Sequence, residues 1–258
     1  MTFSHIGGFM AKQRRLSRKE KARQARDMDH MVGILNQKFG MRKISPLTPT
    51  QDELFSAYRS GNNIAAIGTA GTGKTMCALY LALQDVLQKG EYEKVVVIRS
   101  AVQTREQGFM PGSKAQKEAV FEQPYTDIVN DLFGRGDAYQ ILKSKGMMHF
   151  MTSSFVRGLT FDNTIIIVDE CQSMTYHELD TIITRVGESS KIVFCGDTKQ
   201  DDLEISKNRA DVSGLCDFLR VLQSVDSFES IKFTPDDIVR SGLVKEYIIA
   251  KERILEAA

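Results

Sequence analysis

Short apolar runs alternate with longer amphipathic stretches along most of the chain, and this rhythm predicts the fold class before any single residue is weighed. Runs at Asn63 to Ile67, Val95 to Arg99, Met147 to Thr152, Thr164 to Val168 and Lys191 to Cys195 are too short for helices, and all but Met147 to Thr152 carry Val or Ile. Most are apolar nearly throughout, the habit of parallel strands buried on both faces. Between them, apolar residues spaced three and four apart predict helices over Pro49 to Ser60, Lys74 to Gln88, Lys114 to Leu132, Tyr176 to Val186, Gly214 to Leu222 and Pro235 to Leu255. Strands alternating with helices predict an α/β fold with a mostly parallel central sheet flanked by helices. Gly108 to Gly112, with Pro111, reads as an exposed loop, and no internal repeat or low-complexity tract interrupts the pattern.

Composition sharpens this picture in three ways. At 258 residues, 42 % hydrophobic and 26 % charged, the chain is long enough for one large domain with a substantial core; the pattern assigns it residues 46–258 and leaves 1–45 as a helical N-terminal arm. The net charge of +1 hides an asymmetry, because residues 12–29 carry eight Lys or Arg against Glu20, Asp27 and Asp29, a local +5 against −4 for the remainder. Such an arm suits RNA, DNA or an acidic protein surface, and equally a solvated tail. The longest apolar stretches fall far short of the roughly 18 residues that span a bilayer, and the basic residues follow the weakly apolar start, the reverse of a secretory signal. No membrane segment and a cytoplasmic location are therefore expected. Cys77, Cys171, Cys195 and Cys216 are widely separated among apolar or small neighbours and are expected to be reduced core thiols, while His5, His30, His149 and His177 show no metal-ligand spacing.

The most informative segment is Gly68-Thr69-Ala70-Gly71-Thr72-Gly73-Lys74-Thr75, a complete Gly-x-x-x-x-Gly-Lys-Thr phosphate loop between a predicted strand and a predicted helix. Glycines allow a tight turn that presents several backbone N–H groups to one phosphate chain, and the helix adds the positive end of its dipole. In that arrangement Lys74 reaches the β and γ phosphates of a nucleoside triphosphate and the Thr75 hydroxyl holds Mg²⁺.

Three further segments fit the same chemistry. Thr164-Ile-Ile-Ile-Val-Asp169-Glu170 is an apolar strand ending in two carboxylates at the sheet edge where ligands bind; Asp169 suits a contact to Mg²⁺ and Glu170 suits polarisation of the attacking water. In Gly196-Asp197-Thr198-Lys199-Gln200 another strand runs into a turn whose Gln200 amide can sense the γ phosphate or its water. Upstream, Thr50 is a candidate helix cap in Thr48-Pro49-Thr50-Gln51, and Gln51 either reads an adenine edge or is a surface glutamine in a first helical turn.

The order Thr-Pro-Thr-Gln, Gly-Thr-Ala-Gly-Thr-Gly-Lys-Thr, Val-Asp-Glu-Cys-Gln and Gly-Asp-Thr-Lys-Gln resembles the PhoH family, as do Pro124-Tyr125, Phe155-Val-Arg157-Gly158 and Asp237-Ile-Val-Arg240. The resemblance covers roughly Pro46 to the C-terminus. It implies a RecA-like P-loop core akin to the first motor domain of superfamily 1 helicases, with ATPase activity and a connection to RNA. Carried over residue by residue, it implies that Gln51 reads adenine, that Asp169 and Glu170 are the Walker B pair, that Gln200 senses the γ phosphate and that Arg240 is an arginine finger. After Gln200 the chain departs from the family pattern over Asp201 to Val212.

Together these readings predict a Mg²⁺-dependent ATPase coupled to RNA or single-stranded DNA, working as a homo-oligomer such as a hexameric ring. A rival is an RNA-binding switch with slow hydrolysis, in which Arg99, Gln103, Arg105, Arg157 and the arm form the working surface; solvated charge explains those arginines equally well. A small-molecule kinase is disfavoured by the water-activating character of the acidic pair.

Overall fold

The computed structural model describes residues 39–100, 114–197 and 214–256. Residues 1–38 of the arm, the Gly108 to Gly112 loop, Gln103, Arg105 and Gln200 lie outside the described residues.

The first described helix, α1 (Pro49–Arg59), starts where the Thr48 side chain accepts a hydrogen bond from the Gln51 N–H. The cap is thus Thr48 and not the expected Thr50, because Pro49 occupies the first helical turn, where its missing N–H and fixed φ are harmless. Strand β1 (Asn63–Gly68) leads through the phosphate loop into α2 (Lys74–Gln84), which ends in a π turn over Asp85–Lys89. Next come β2 (Lys94–Arg99), α3 (Lys114–Phe133), α4 (Ala138–Ser144), β3 (Met148–Thr152) and β4 (Thr164–Asp169). The chain continues through α5 (Tyr176–Ile183), β5 (Lys191–Gly196), α6 (Leu215–Leu222), β6 (Phe228–Phe233) and α7 (Gly242–Glu256).

All six strands pair in parallel in the order β3-β2-β4-β5-β1-β6, the RecA-like P-loop sheet. The two central strands adjacent to β5 carry the phosphate loop and the acidic pair, so a strand of separation sets the spacing between those motifs. Every residue of β4 is buried, and Ile165 to Val168 show no exposed surface; each such side chain contributes about 1.5–3 kcal/mol. On one face Ile98, Ile166, Val168, Ile192 and Phe194 pack with Leu179 and Ile182 of α5 and Leu215, Phe218 and Leu222 of α6.

The structure corrects the expected pattern at three places. Strand β6 was absent from it: only Ile231 and Phe233 of this edge strand are buried deeply, while Glu229, Ser230 and Lys232 are exposed. The helix expected over Pro235 to Leu255 is two pieces, a 3-10 turn Pro235–Asp237 and then α7. Thr234 and Asp237 cap that turn reciprocally, and the chain then leaves helical geometry so that the Val239 N–H can bond the Gly71 carbonyl at 3.1 Å. Cys77, Cys171 and Cys195 are buried free thiols, but Cys216 is exposed and is not a core residue.

Candidate functional site

The carboxyl ends of β1, β2, β4 and β5 open into one cleft of about 650 Å³, lined by the phosphate loop, Arg99, Tyr125, Asp169, Glu170, Asp197 and Arg240 among others. Residues 70–75, 169, 170 and 240, singled out from the chain on separate motifs, therefore face a common space.

Two glycines shape the loop. Gly68 ends β1 at φ +132° beside β6, where a Cβ would collide with the Phe233 carbonyl. Gly73 caps α2 in the left-handed region at φ +83°, and a Cβ there would lie 3.0 Å from Gln51 Nε2 and 3.7 Å from Val239 Cγ2. Only glycine accommodates both the backbone geometry and the close neighbours.

The Lys74 ammonium folds back into the loop, donating to the carbonyls of Gly68 at 2.6 Å and Thr69 at 2.8 Å and to the Thr72 hydroxyl at 3.3 Å. All three acceptors are neutral. Burial lowers the lysine's affinity for its proton, and the nearby Cys195, Asp197, Asp169 and Glu170 oppose that effect. A buried cation whose hydrogen-bond acceptors are neutral oxygens can exchange them for the charged oxygens of a phosphate chain.

Thr75 and Asp169 meet directly: the Thr75 hydroxyl donates to Asp169 Oδ1 at 2.8 Å. Tyr125 of α3 donates to the other oxygen, Oδ2, at 2.9 Å, and its fully buried ring stacks on Phe150. Burial and then the neighbouring Glu170 raise the Asp169 carboxyl above its usual value, while the two hydroxyls and Arg99 act in the opposite direction. A hydroxyl beside a buried carboxylate at the cleft floor is a hard-oxygen pair of the kind Mg²⁺ takes, with the remaining positions left to phosphate and water.

Glu170 follows in the left-handed region at φ +52°, ψ +43°, which costs a non-glycine residue about 1–3 kcal/mol. The neighbouring Gln172 fixes the Glu170 carboxylate. Its Nε2 donates to Glu170 Oε2 at 2.6 Å, and its Oε1 accepts from the Asp197 N–H at 3.0 Å, so one buried amide ties the acid to the end of β5. A side chain at Gly196 would collide with Cys171 Sγ, so this approach of β5 to the acidic turn requires glycine.

Gln51 is 3 % exposed. Its Oε1 accepts from the Leu47 N–H at 2.8 Å and its Nε2 donates to the Thr72 carbonyl at 2.8 Å, so the amide braces the phosphate loop against the segment before α1. Arg240 stands beside Gly71 of its own chain, its Cγ 3.0 Å from where a Cβ of that glycine would be. Arg99 lines the same cleft, with its guanidinium 5.7 Å from the Phe121 ring centroid, whereas Arg157 is exposed and contacts His177 Nε2 at 3.3 Å. The two arginines expected to share one surface are thus differently employed. Tyr125, Gln172 and Asp237 gave no chemical signal in the sequence, although all three stand inside stretches that resemble family motifs.

Comparison with known proteins agrees with the motifs. The family model described as PhoH-like protein matches residues 43–252. The PhoH-like protein of Bacillus subtilis (strain 168) is 31 % identical over 213 residues, covering 82 % of this chain and 65 % of that protein. Protein PhoH of Escherichia coli (strain K12) is 30 % identical over 247 residues, covering 92 % and 68 %. The chain thus spans less than two thirds of the length of the Bacillus subtilis relative. Among solved structures, the large terminase from a thermophilic bacteriophage, in complex with ADP, aligns with a TM-score of 0.47 at 14 % identity, covering 78 % of this chain and 49 % of that one. The UvsW helicase from bacteriophage T4 aligns with a TM-score of 0.41 at 19 % identity, covering 81 % and 67 %.

Proposed function

The chain belongs to the PhoH-like protein family, and from that premise we propose that it is a Mg²⁺-dependent ATPase whose turnover is coupled to RNA or single-stranded DNA. The observation that carries the proposal is the 2.8 Å bond between Thr75 and Asp169, which joins the phosphate loop to the acidic strand end inside one cleft.

In this reading the loop N–H groups and the α2 dipole hold the phosphates of ATP. Lys74 exchanges its bonds to Gly68, Thr69 and Thr72 for phosphate oxygens, a trade favoured because charge-assisted hydrogen bonds are stronger than those to neutral carbonyls. Thr75 and Asp169 would hold Mg²⁺, which when bound neutralises charge on the transferring phosphoryl group. Glu170, aimed by Gln172, orients and polarises the attacking water. Arg240 lines the cleft beside Gly71 of the phosphate loop, which supports a role as arginine finger, since a guanidinium fork suits charge spread over equatorial oxygens. Gln200 is proposed as the γ-phosphate sensor because it follows β5, whose end Gln172 links to Glu170.

Coupling to a polynucleotide is supported by the +5 segment at 12–29 and by exposed Arg157. A cytoplasmic location is proposed with it; no helix among the described residues is long and apolar enough to cross a membrane.

The test is a comparison of ATP binding and turnover in the wild type, Lys74→Ala and Glu170→Gln. Lys74→Ala is expected to lose most of both. Glu170→Gln is expected to keep binding and lose about 10²-fold or more in turnover. Binding that survives intact in Lys74→Ala contradicts the assignment. The same assay with single-stranded RNA checks the coupling, which should raise turnover and weaken as salt is added.

A further inference from the structure

Four large apolar side chains that face water stand on a single helix. In α7, Leu243 is 79 % exposed, Val244 41 %, Tyr247 67 % and Ile254 68 %. Apolar exposure gathered in one patch, rather than scattered singly, marks a contact surface. Leu243, Tyr247, Ala250 and Ile254 are spaced four, three and four apart, so at about 100° per residue they fall within about 60° of one another, and all four are exposed. The opposite face of α7 is already in use. Ile248 and Ile249 are half-buried, Lys245 donates to the Asp236 carbonyl at 3.2 Å, and Ile248 Cδ1 lies 3.7 Å from where a Cβ of Gly71 would be. One side of the helix therefore meets its own domain, and the other presents the alternating three and four spacing by which one helix packs on another.

The flanks of that stripe indicate what it packs on. Exposed Glu246 and Arg253 run along one side, exposed Val244 and Lys251 along the other. In an antiparallel pair of these helices, Leu243 of one copy meets Ile254 of the second, and the overlap takes in nearly all of Gly242–Glu256. Tyr247 then lies over Ala250 of the second copy, a large side chain against a small one. Glu246 faces Arg253 of the second copy, and Val244 lies against the aliphatic stem of Lys251. Two-fold symmetry makes each contact twice. A parallel pair brings Glu246 to Lys251 but stacks Tyr247 on Tyr247 and Ala250 on Ala250, which crowds one layer and leaves the next hollow. Shape and charge together are self-complementary in the antiparallel register alone.

We infer that the exposed face of α7 docks a second copy of this chain by antiparallel pairing with the same face of that copy. The pairing stands apart from the ATPase reading. One helix pair buries less than the roughly 1,200–2,000 Å² of a standard interface, so the affinity expected is micromolar.

Sedimentation equilibrium of the full chain is the test. Between about 1 and 200 μM the wild type should form dimers with a dissociation constant of about 1–100 μM. Tyr247→Glu sets a carboxylate into the apolar stripe and should weaken the dimer by about tenfold or more. Glu246→Arg and Arg253→Glu each put like charges across the pair and should weaken it by about tenfold. The double variant Glu246→Arg, Arg253→Glu restores opposite charges and should return to within about threefold of wild type. In a parallel pair the same double variant stays weak, because the new arginine faces Lys251. All these positions are exposed, and far-UV circular dichroism with nucleotide binding checks that each variant is folded. A chain that is monomeric at the highest concentration overturns the inference, as does a dimer indifferent to Tyr247→Glu or a double variant no tighter than the single ones. A larger assembly that Tyr247→Glu splits supports the pairing, and one that it leaves whole counts against it. None of these results bears on ATP hydrolysis.

Discussion

A single oxygen atom decides much of this site. Asp169 is buried and its carboxyl is raised by burial and by Glu170, so each hydroxyl that donates to it matters to its ionisation. Thr75 has a second task as a Mg²⁺ ligand in the proposed mechanism, which leaves Tyr125 as the residue whose role is positioning alone. Tyr125→Phe keeps the ring and its stacking on Phe150 and removes one hydrogen bond to a charged group, worth about 1.5–3 kcal/mol. The expected outcome is a loss of roughly tenfold or more in kcat/KM with a higher Mg²⁺ concentration needed for half-maximal rate, measured by titrating Mg²⁺ at fixed ATP. An unchanged Mg²⁺ requirement refutes the positioning role. Lys74, Thr75, Asp169 and Glu170 could be picked from the chain because their spacing is set by local backbone geometry. Tyr125 lies 44 residues from its partner, and no local pattern encodes that meeting.

At the scale of elements, the turn Pro235–Asp237 does more than begin a helix. Its Asp237 is buried, and burial alone would raise its carboxyl; hydrogen bonds from the Thr234 backbone and from the Thr50, Thr48 and Thr234 hydroxyls outweigh that and hold it below the usual carboxylate range. A folded value below the unfolded one means that the stabilising contribution is present above the unfolded carboxylate pKa of about 3.9 and disappears as pH falls through the folded value. Asp237→Ala should therefore lower stability by about 1–3 kcal/mol at neutral pH, and the gap from wild type should narrow in acid, as pH falls below the unfolded carboxylate value of about 3.9 and through the lower folded one. Urea unfolding of both proteins at neutral pH and in acid checks this, and a gap of undiminished size in acid contradicts it. The break after Asp237 was not legible in the apolar spacing, which continues through it; the carbonyl of Gly71, far away in sequence, claims the Val239 N–H that a helix would have used.

At the scale of the molecule, parallel pairing in the order β3-β2-β4-β5-β1-β6 turns all carboxyl ends the same way, so loops distant in sequence share one cleft. Arg240 enters that cleft beside Gly71 of its own chain. A finger acting within one chain predicts that Arg240→Ala loses turnover and that mixing it with Lys74→Ala restores none, whatever the proposed oligomer; recovery of rate on mixing, read in the ATPase assay, would place the finger in a neighbouring subunit. The sequence by itself determined the α/β class, five of the six strands and the phosphate-loop and acidic motifs that meet in the cleft, because short apolar runs, glycine spacing and terminal carboxylates act through neighbours along the chain. Only tertiary structure decided that Gln51 braces the loop, that Tyr125 and Gln172 aim the acids, that β6 closes the sheet edge and that Asp237 staples the two ends of the domain. Those roles consist of hydrogen bonds between residues brought together by packing, and a donor's partner across the fold leaves no period or spacing in the sequence that carries it.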